Sequence, residues 1–253
     1  MTPAGRDPAR SVLLTAGGIG LAVAVGAGVV LLTEGGPQSR SRPAVEAPQV
    51  VLPDAEAAAG APADASPGVP AAAWVREAAS RTGVPDRAMQ AYATAALALA
   101  DEEPGCGLGW NTLAAIGQVE SVHGTIAGGA LGADGVAKPA IVGIPLDGDG
   151  VASIPDTDGG RLDGDRTWDR AVGPMQFIPS TWERWAADGD GDGAADPQDV
   201  DDAALAAARY LCSGGGSLAT AEGWTAAVTS YNNSLEYAAQ VAGIASRHAS
   251  DLG

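Results

Sequence analysis

The chain has 253 residues, 46% of them hydrophobic, enough for a packed core and too many for global disorder. Fourteen basic residues stand against 31 acidic ones, a net charge of −17 that argues against nucleic-acid binding, which needs clustered Lys and Arg. Two cysteines and two histidines exclude a cysteine-rich zinc module or an iron–sulfur cluster.

In chain order, Arg6 and Arg10 precede an uncharged stretch, Ser11–Thr33. As a helix it would span ~35 Å, the thickness of a bilayer core. Residues 1–33 are therefore expected to be a signal anchor, with the two arginines inside and the remainder outside the cytoplasmic membrane. A secretory signal cleaved near Ala22-Val23-Ala24 is the alternative. Residues 34–70 hold Pro37, Pro43, Pro48, Pro53, Pro62, Pro67 and Pro70, which read as an extended linker. Residues 71–253 form the expected domain.

That domain reads as mainly α. Helical spacing predicts helices over Ala71–Arg81, Asp86–Ala100 with Asp86 as cap, Trp110–Glu120, Ser180–Ala187, Val200–Cys212, Ala221–Ser230 and Ser234–His248. Between Gly124 and Arg170 lies a Gly/Asp-rich stretch too long for an ordinary connection. No alternating run supports a large sheet. In an exported chain the cysteine pair Cys106 and Cys212 favours a disulfide.

Residues 188–199 read Asp-Gly-Asp-Gly-Asp-Gly-Ala-Ala-Asp-Pro-Gln-Asp. The spacing fits an EF-hand-like loop. Asp188, Asp190, Asp192, Asp196 and Asp199 would offer carboxylates and Ala194 its carbonyl, with Gly193 at the sharp turn. The expected cofactor is a structural calcium ion, with no organic cofactor. Position 12 carries Asp, not the usual Glu, whose longer arm gives bidentate coordination. Asp147-Gly-Asp149 and Asp156-Thr-Asp158-Gly159 look ligand-like but complete no such pattern.

Glu120 closes the third helix, on one face with Leu113 and Ile116; Gly117 is expected to leave space one turn earlier. Apolar neighbours raise a carboxylate's pKa toward that of a general acid working near neutral pH. Glu120-Ser121 is followed by Gly173-Pro174-Met175-Gln176 and then by Ser230-Tyr231-Asn232. These blocks, in this order and with the acidic loop after the second, resemble the lytic transglycosylases of bacterial peptidoglycan, in particular the membrane-bound lytic transglycosylase B type. The resemblance covers most of the domain; Pro174 stands where many relatives have Leu, and Ser230 where many have Ala.

The resemblance implies a lysozyme-like α-helical fold with a groove for a glycan strand. It implies cleavage of the β-1,4 bond between N-acetylmuramic acid and N-acetylglucosamine, leaving a 1,6-anhydromuramoyl end. Glu120 would be the acid and then the base. Ser121, Met175, Gln176, Tyr231 and Asn232 would meet the substrate, Met175 chiefly as packing in the groove floor. A muramidase would need a positioned water, often held by a second carboxylate, for which Asp156, Asp158 and Asp169 are candidates. A non-catalytic peptidoglycan-binding scaffold is the other alternative. A calcium sensor is disfavoured, since only one such loop and three methionines are present. The expected partners are glycan strands and, through the N-terminal helix, the membrane.

Overall fold

A computed structural model describes residues 45–54 and 69–252. The apolar stretch Ser11–Thr33 lies outside the described residues. Among those described, no helix is long and apolar enough to cross a membrane.

The described residues form seven α-helices: α1 (Ala72–Thr82), α2 (Asp86–Glu102), α3 (Trp110–Ser121), α4 (Pro179–Trp185), α5 (Val200–Cys212), α6 (Ala221–Tyr231) and α7 (Leu235–Leu252). Helix α3 is buried along nearly its whole length, the mark of a central helix. It packs against α2, α5 and α7. Helices α2 and α5 meet closely because their facing surfaces are largely alanine, including Ala88, Ala91, Ala95 and Ala96 on one and Ala203, Ala204 and Ala207 on the other. Cys106 and Cys212 form the expected disulfide, tying the entry to α3 to the end of α5.

Starts and stops follow local chemistry. Asp199 caps α5 by accepting from Asp201 N, Thr220 caps α6 by accepting from Gly223 N, and Pro179 opens α4. Asp86 is not a cap: Pro85 takes that position and Asp86 is the first helical residue.

The Gly/Asp-rich stretch is ordered by its own aspartates. It contains two antiparallel two-stranded ribbons, β1 (Ala130–Leu131) with β2 (Ala137–Lys138) and β3 (Val142–Pro145) with β4 (Arg170–Val172). Between β3 and β4, Asp156 Oδ1 accepts from the backbone N–H groups of Asp158, Gly159 and Gly160, and Asp158 accepts from Gly160, Arg161 and Leu162. Asp163, Asp165 and Asp169 do the same for neighbours. Carboxylates here supply the partners that a sheet would otherwise provide. Much of the acidity is thus structural.

Part of the span read as linker lies on the domain. Val45 N donates to Thr225 Oγ1, Asn111 Nδ2 donates to Gln49 O, Trp110 N to Val51 O and Ala71 N to Asp54 O. Val45, Ala47 and Val51 pack on the core. Gly109 permits the approach, since a Cβ there would lie 2.7 Å from Val51 N.

Candidate active site

A groove of ≈ 270 Å³ opens at the C-terminal end of α3. Glu120, Gln176, Phe177, Tyr210, Tyr231 and Asn232 are among its lining residues. Glu120 is the only carboxylate among the described residues that line it.

Glu120 is 8% exposed. Burial drives its pKa up from 4.5 to about 7, although a hydrogen bond from Tyr237 pulls the other way. That bond runs from Tyr237 Oη on α7 to Glu120 Oε1, at 2.6 Å. It fixes one carboxyl oxygen and leaves Oε2 to carry a transferable proton. Burial and the nearby Glu120 charge hold Tyr237 and Tyr231 well above the ordinary tyrosine value, so both remain neutral donors. The space beside Gly117 is not open: it houses Tyr92, whose hydroxyl would lie 2.0 Å from a Cβ at that position.

Helix α3 stops abruptly after Ser121. Val122, His123 and Gly124 take φ values of 54°, 58° and 79°, a left-handed run in which Val is disfavoured by its branched Cβ. Ser121 is 1% exposed and points away from the groove. Its Oγ donates to Pro174 O at 2.6 Å and accepts from Gly124 N at 2.8 Å. It pins the helix end to the Gly173–Gln176 turn and does not line the groove. Met175 is fully buried, and its carbonyl accepts from Tyr231 Oη at 2.7 Å. Both residues therefore shape the site from behind.

Gln176 and Asn232 do reach the groove. Gln176 has φ 51° and spends one amide donor on Gly173 O at 3.0 Å. Gly143 closes on its carbonyl, leaving 3.1 Å between a Cβ built there and Oε1. Asn232 Oδ1 is buried without a partner among the described residues. An aromatic row backs the groove: Phe177 meets Tyr231 edge-on, Tyr231 lies beside Tyr210, and Trp185 stacks on Tyr210. Trp110 and Trp224 are core residues, Trp182 packs on Phe177, and buried His123 contacts Tyr92, its pKa pushed down to about 4 by burial.

The other carboxylate candidates stay outside. Asp169 is fully buried and takes both Thr157 donors, while Asp156 and Asp158 are held within their own loop.

In the acidic loop, ligand oxygens of Asp188, Asp190 and Asp202 lie within 4.8 Å of one another. Oxygen donors gathered this way suit a hard cation. The gathered set differs from the one expected by spacing. Asp199 is occupied as the cap of α5, and Asp202, one turn into the helix, reaches back to accept from Gly189 N and Asp196 N. Asp192 and Asp196 are not among the carboxylates so gathered, and Ala194 is exposed on the loop. Burial and the charges of Asp190 and Asp188 raise the pKa of Asp202, partly offset by its two N–H donors.

Tyr237, Tyr210 and Asp202 are absent from the sequence-derived site. For Tyr237 a signal existed: it falls on the apolar stripe of α7 with Val241, Ile244 and His248, and a buried tyrosine hydroxyl needs a partner.

Residues 160–226 match the family model described as the transglycosylase SLT domain. The match takes in the Gly173–Gln176 turn, the acidic loop and α5. No curated protein sequence matches the chain. Among solved structures, the chain is similar to the Escherichia coli lytic transglycosylase Slt35 in complex with calcium, at 16% identity and a TM-score of 0.44 over 72% of this chain and 80% of that one. The same enzyme in complex with bulgecin A gives 16% identity and a TM-score of 0.40, over 72% and 79%. SltB3 from Pseudomonas aeruginosa in complex with NAG-anhNAM-pentapeptide gives 17% and 0.40, over 74% and 69%. The residues matched to the transglycosylase SLT domain include Gln176, Phe177 and Tyr210 of the groove, while Glu120 lies before them.

Proposed function

We propose that the groove cleaves the β-1,4 bond between N-acetylmuramic acid and N-acetylglucosamine and closes a 1,6-anhydro ring on the muramoyl product. The observation that carries this reading is Glu120, buried, held by Tyr237 and with a pKa of about 7. Near neutrality such a group is substantially protonated, as a general acid must be, and its conjugate base is strong enough to take a proton back.

Glu120 Oε2 gives its proton to the leaving glycosidic oxygen. The substrate's own N-acetyl carbonyl oxygen bonds to C1 as the C1–O bond breaks. The C6 hydroxyl then attacks C1, the carbonyl oxygen departs, and the hydroxyl proton returns to Glu120. No water is consumed. One titrating carboxylate suffices, in keeping with Glu120 as the lone carboxylate among the described residues that line the groove. Gln176 and Asn232 suit the acetamido groups, since the oxygen of Asn232 has no donor among the described residues.

The cation at Asp188, Asp190 and Asp202 is read as structural: it would neutralise three carboxylates beside the start of α5. The arginine-flanked apolar stretch supports work outside the cytoplasmic membrane, tethered to it.

Glu120→Gln tests the assignment. It should cut turnover by about 10²–10⁴-fold while glycan binding persists, measured by muropeptide release and by calorimetric titration. Undiminished turnover would remove Glu120 from the chemistry.

A further inference from the structure

Part of the groove wall comes from segments outside the helices, among them Leu146, Ala171 and Gln176. Its central piece is the Gly173–Gln176 turn, held at one side by Ser121. The other side is held by a residue outside the groove.

Gln198, the last residue but one of the acidic loop, is half-buried. Its side-chain oxygen accepts from Ile141 N at 2.8 Å, and its amide donates to Ile141 O at 2.9 Å. The pair reproduces the two bonds that a neighbouring strand would exchange with Ile141. Ile141 O also accepts from Gly173 N at 2.9 Å. Gly173 O in turn accepts from Gln176 N at 3.1 Å and from Gln176 Nε2 at 3.0 Å. A second contact reinforces the first: Gly173 has φ 77°, and a Cβ there would lie 1.6 Å from Pro197 O. The acidic loop's exit is therefore pressed against the turn that carries Gln176.

We propose that Gln198 is a positioning residue for substrate binding, its amide holding the Ile141–Gly173 junction and, through it, Gln176 at the groove wall. The inference rests on the groove being the glycan site. Only a primary amide of this length supplies a donor and an acceptor in one plane. Glu lacks the donor; Leu leaves Ile141 N without its acceptor and Ile141 O with Gly173 N alone. Glu120 and Tyr237 take no part in the bonds that run from Gln198 through Ile141 and Gly173 to Gln176, and the end of α3 keeps its own tie to the turn through Ser121, so loss of Gln198 acts on binding and spares the proton transfer.

The test uses the full chain. In the active protein, Gln198→Leu should raise KM for a GlcNAc–MurNAc tetrasaccharide by about ten-fold, the scale of substrate losing one or two neutral hydrogen bonds to a displaced Gln176, with kcat nearly unchanged and the same alkaline limb in its pH profile. In a Glu120→Gln background, Kd for the tetrasaccharide should rise by the same factor. Gln198→Glu keeps the acceptor and should fall between the two; if the Leu variant fails to fold, the Glu variant decides. A lower melting temperature with KM and Kd unchanged would make Gln198 merely structural and overturn the inference. So would a fall in kcat with KM constant. If the Glu120→Gln parent binds no glycan, the groove assignment falls and takes this inference with it; a parent that binds alongside equal Gln198 variants overturns this inference alone.

Discussion

Two sides of the groove are held by different forces. Glu120 and Tyr237 stand on α3 and α7, helices that pack on each other within the apolar core. Gln176 stands on a turn fixed by polar contacts from Ser121, Ile141 and, through Ile141, Gln198. The helical side supplies desolvation, which sets the protonation of the acid. The loop side supplies directed donors and acceptors, which suit sugar recognition. Proton chemistry should therefore follow the core, and binding should follow the polar frame around the acidic loop.

The largest expected effect concerns the helical side and its pH dependence. With a folded-state pKa of about 7 against an ordinary 4.5, the folded chain holds the Glu120 proton more tightly than the unfolded chain does. This stabilisation is fully present below the unfolded pKa and is lost as pH rises through about 7. Glu120→Gln has no such loss, so the variant should gain on the wild type by on the order of 3 kcal/mol between pH 4 and 9. Melting curves across that range check it; a pH-independent difference would mean that Glu120 is not desolvated.

Next in size is the acidic loop. Calcium at a hundredfold above Kd should stabilise the wild type by about 2.7 kcal/mol. Asp202→Asn should remove most of this response. Asp199→Asn should keep it, because that side chain serves the helix cap. Thermal melts with calcium and with chelator separate the two ligand sets; the reverse result would restore the spacing-based one.

The smallest effect is at Tyr237. Its hydrogen bond lowers the Glu120 pKa, so Tyr237→Phe should move the alkaline limb of kcat/KM upward. It should also slow turnover about five-fold, the scale of one lost hydrogen bond. A downward shift would contradict the sign of the Tyr237 interaction.

The helices were legible because apolar residues recur at helical spacing: Val200–Cys212 has the expected bounds, and α3 extends only to Ser121. The burial of Glu120 was legible through its apolar neighbours on α3. Tyr237 was not, since its contact joins residues 117 positions apart. The gathering of Asp202 with Asp188 and Asp190 was hidden by a spacing template that ends at Asp199, the residue that caps α5. Ser121 and Met175 stand in the right blocks, yet their side chains turn into the protein. The docking of residues 45–54 was obscured by prolines, which signal extended chain without saying whether it lies on a surface. The ribbons between Gly124 and Arg170 have strands of two to four residues, too short for alternation to show.

The central claim is that Glu120 works as acid and then base with the muramoyl C6 hydroxyl, and no water, as the final nucleophile. Digestion of purified peptidoglycan in ¹⁸O-labelled water, followed by mass spectrometry of the fragments, tests it most directly. The account predicts 1,6-anhydromuramoyl ends free of ¹⁸O, and their loss in Glu120→Gln. Reducing ends that carry one ¹⁸O atom would make the protein a hydrolase and contradict it.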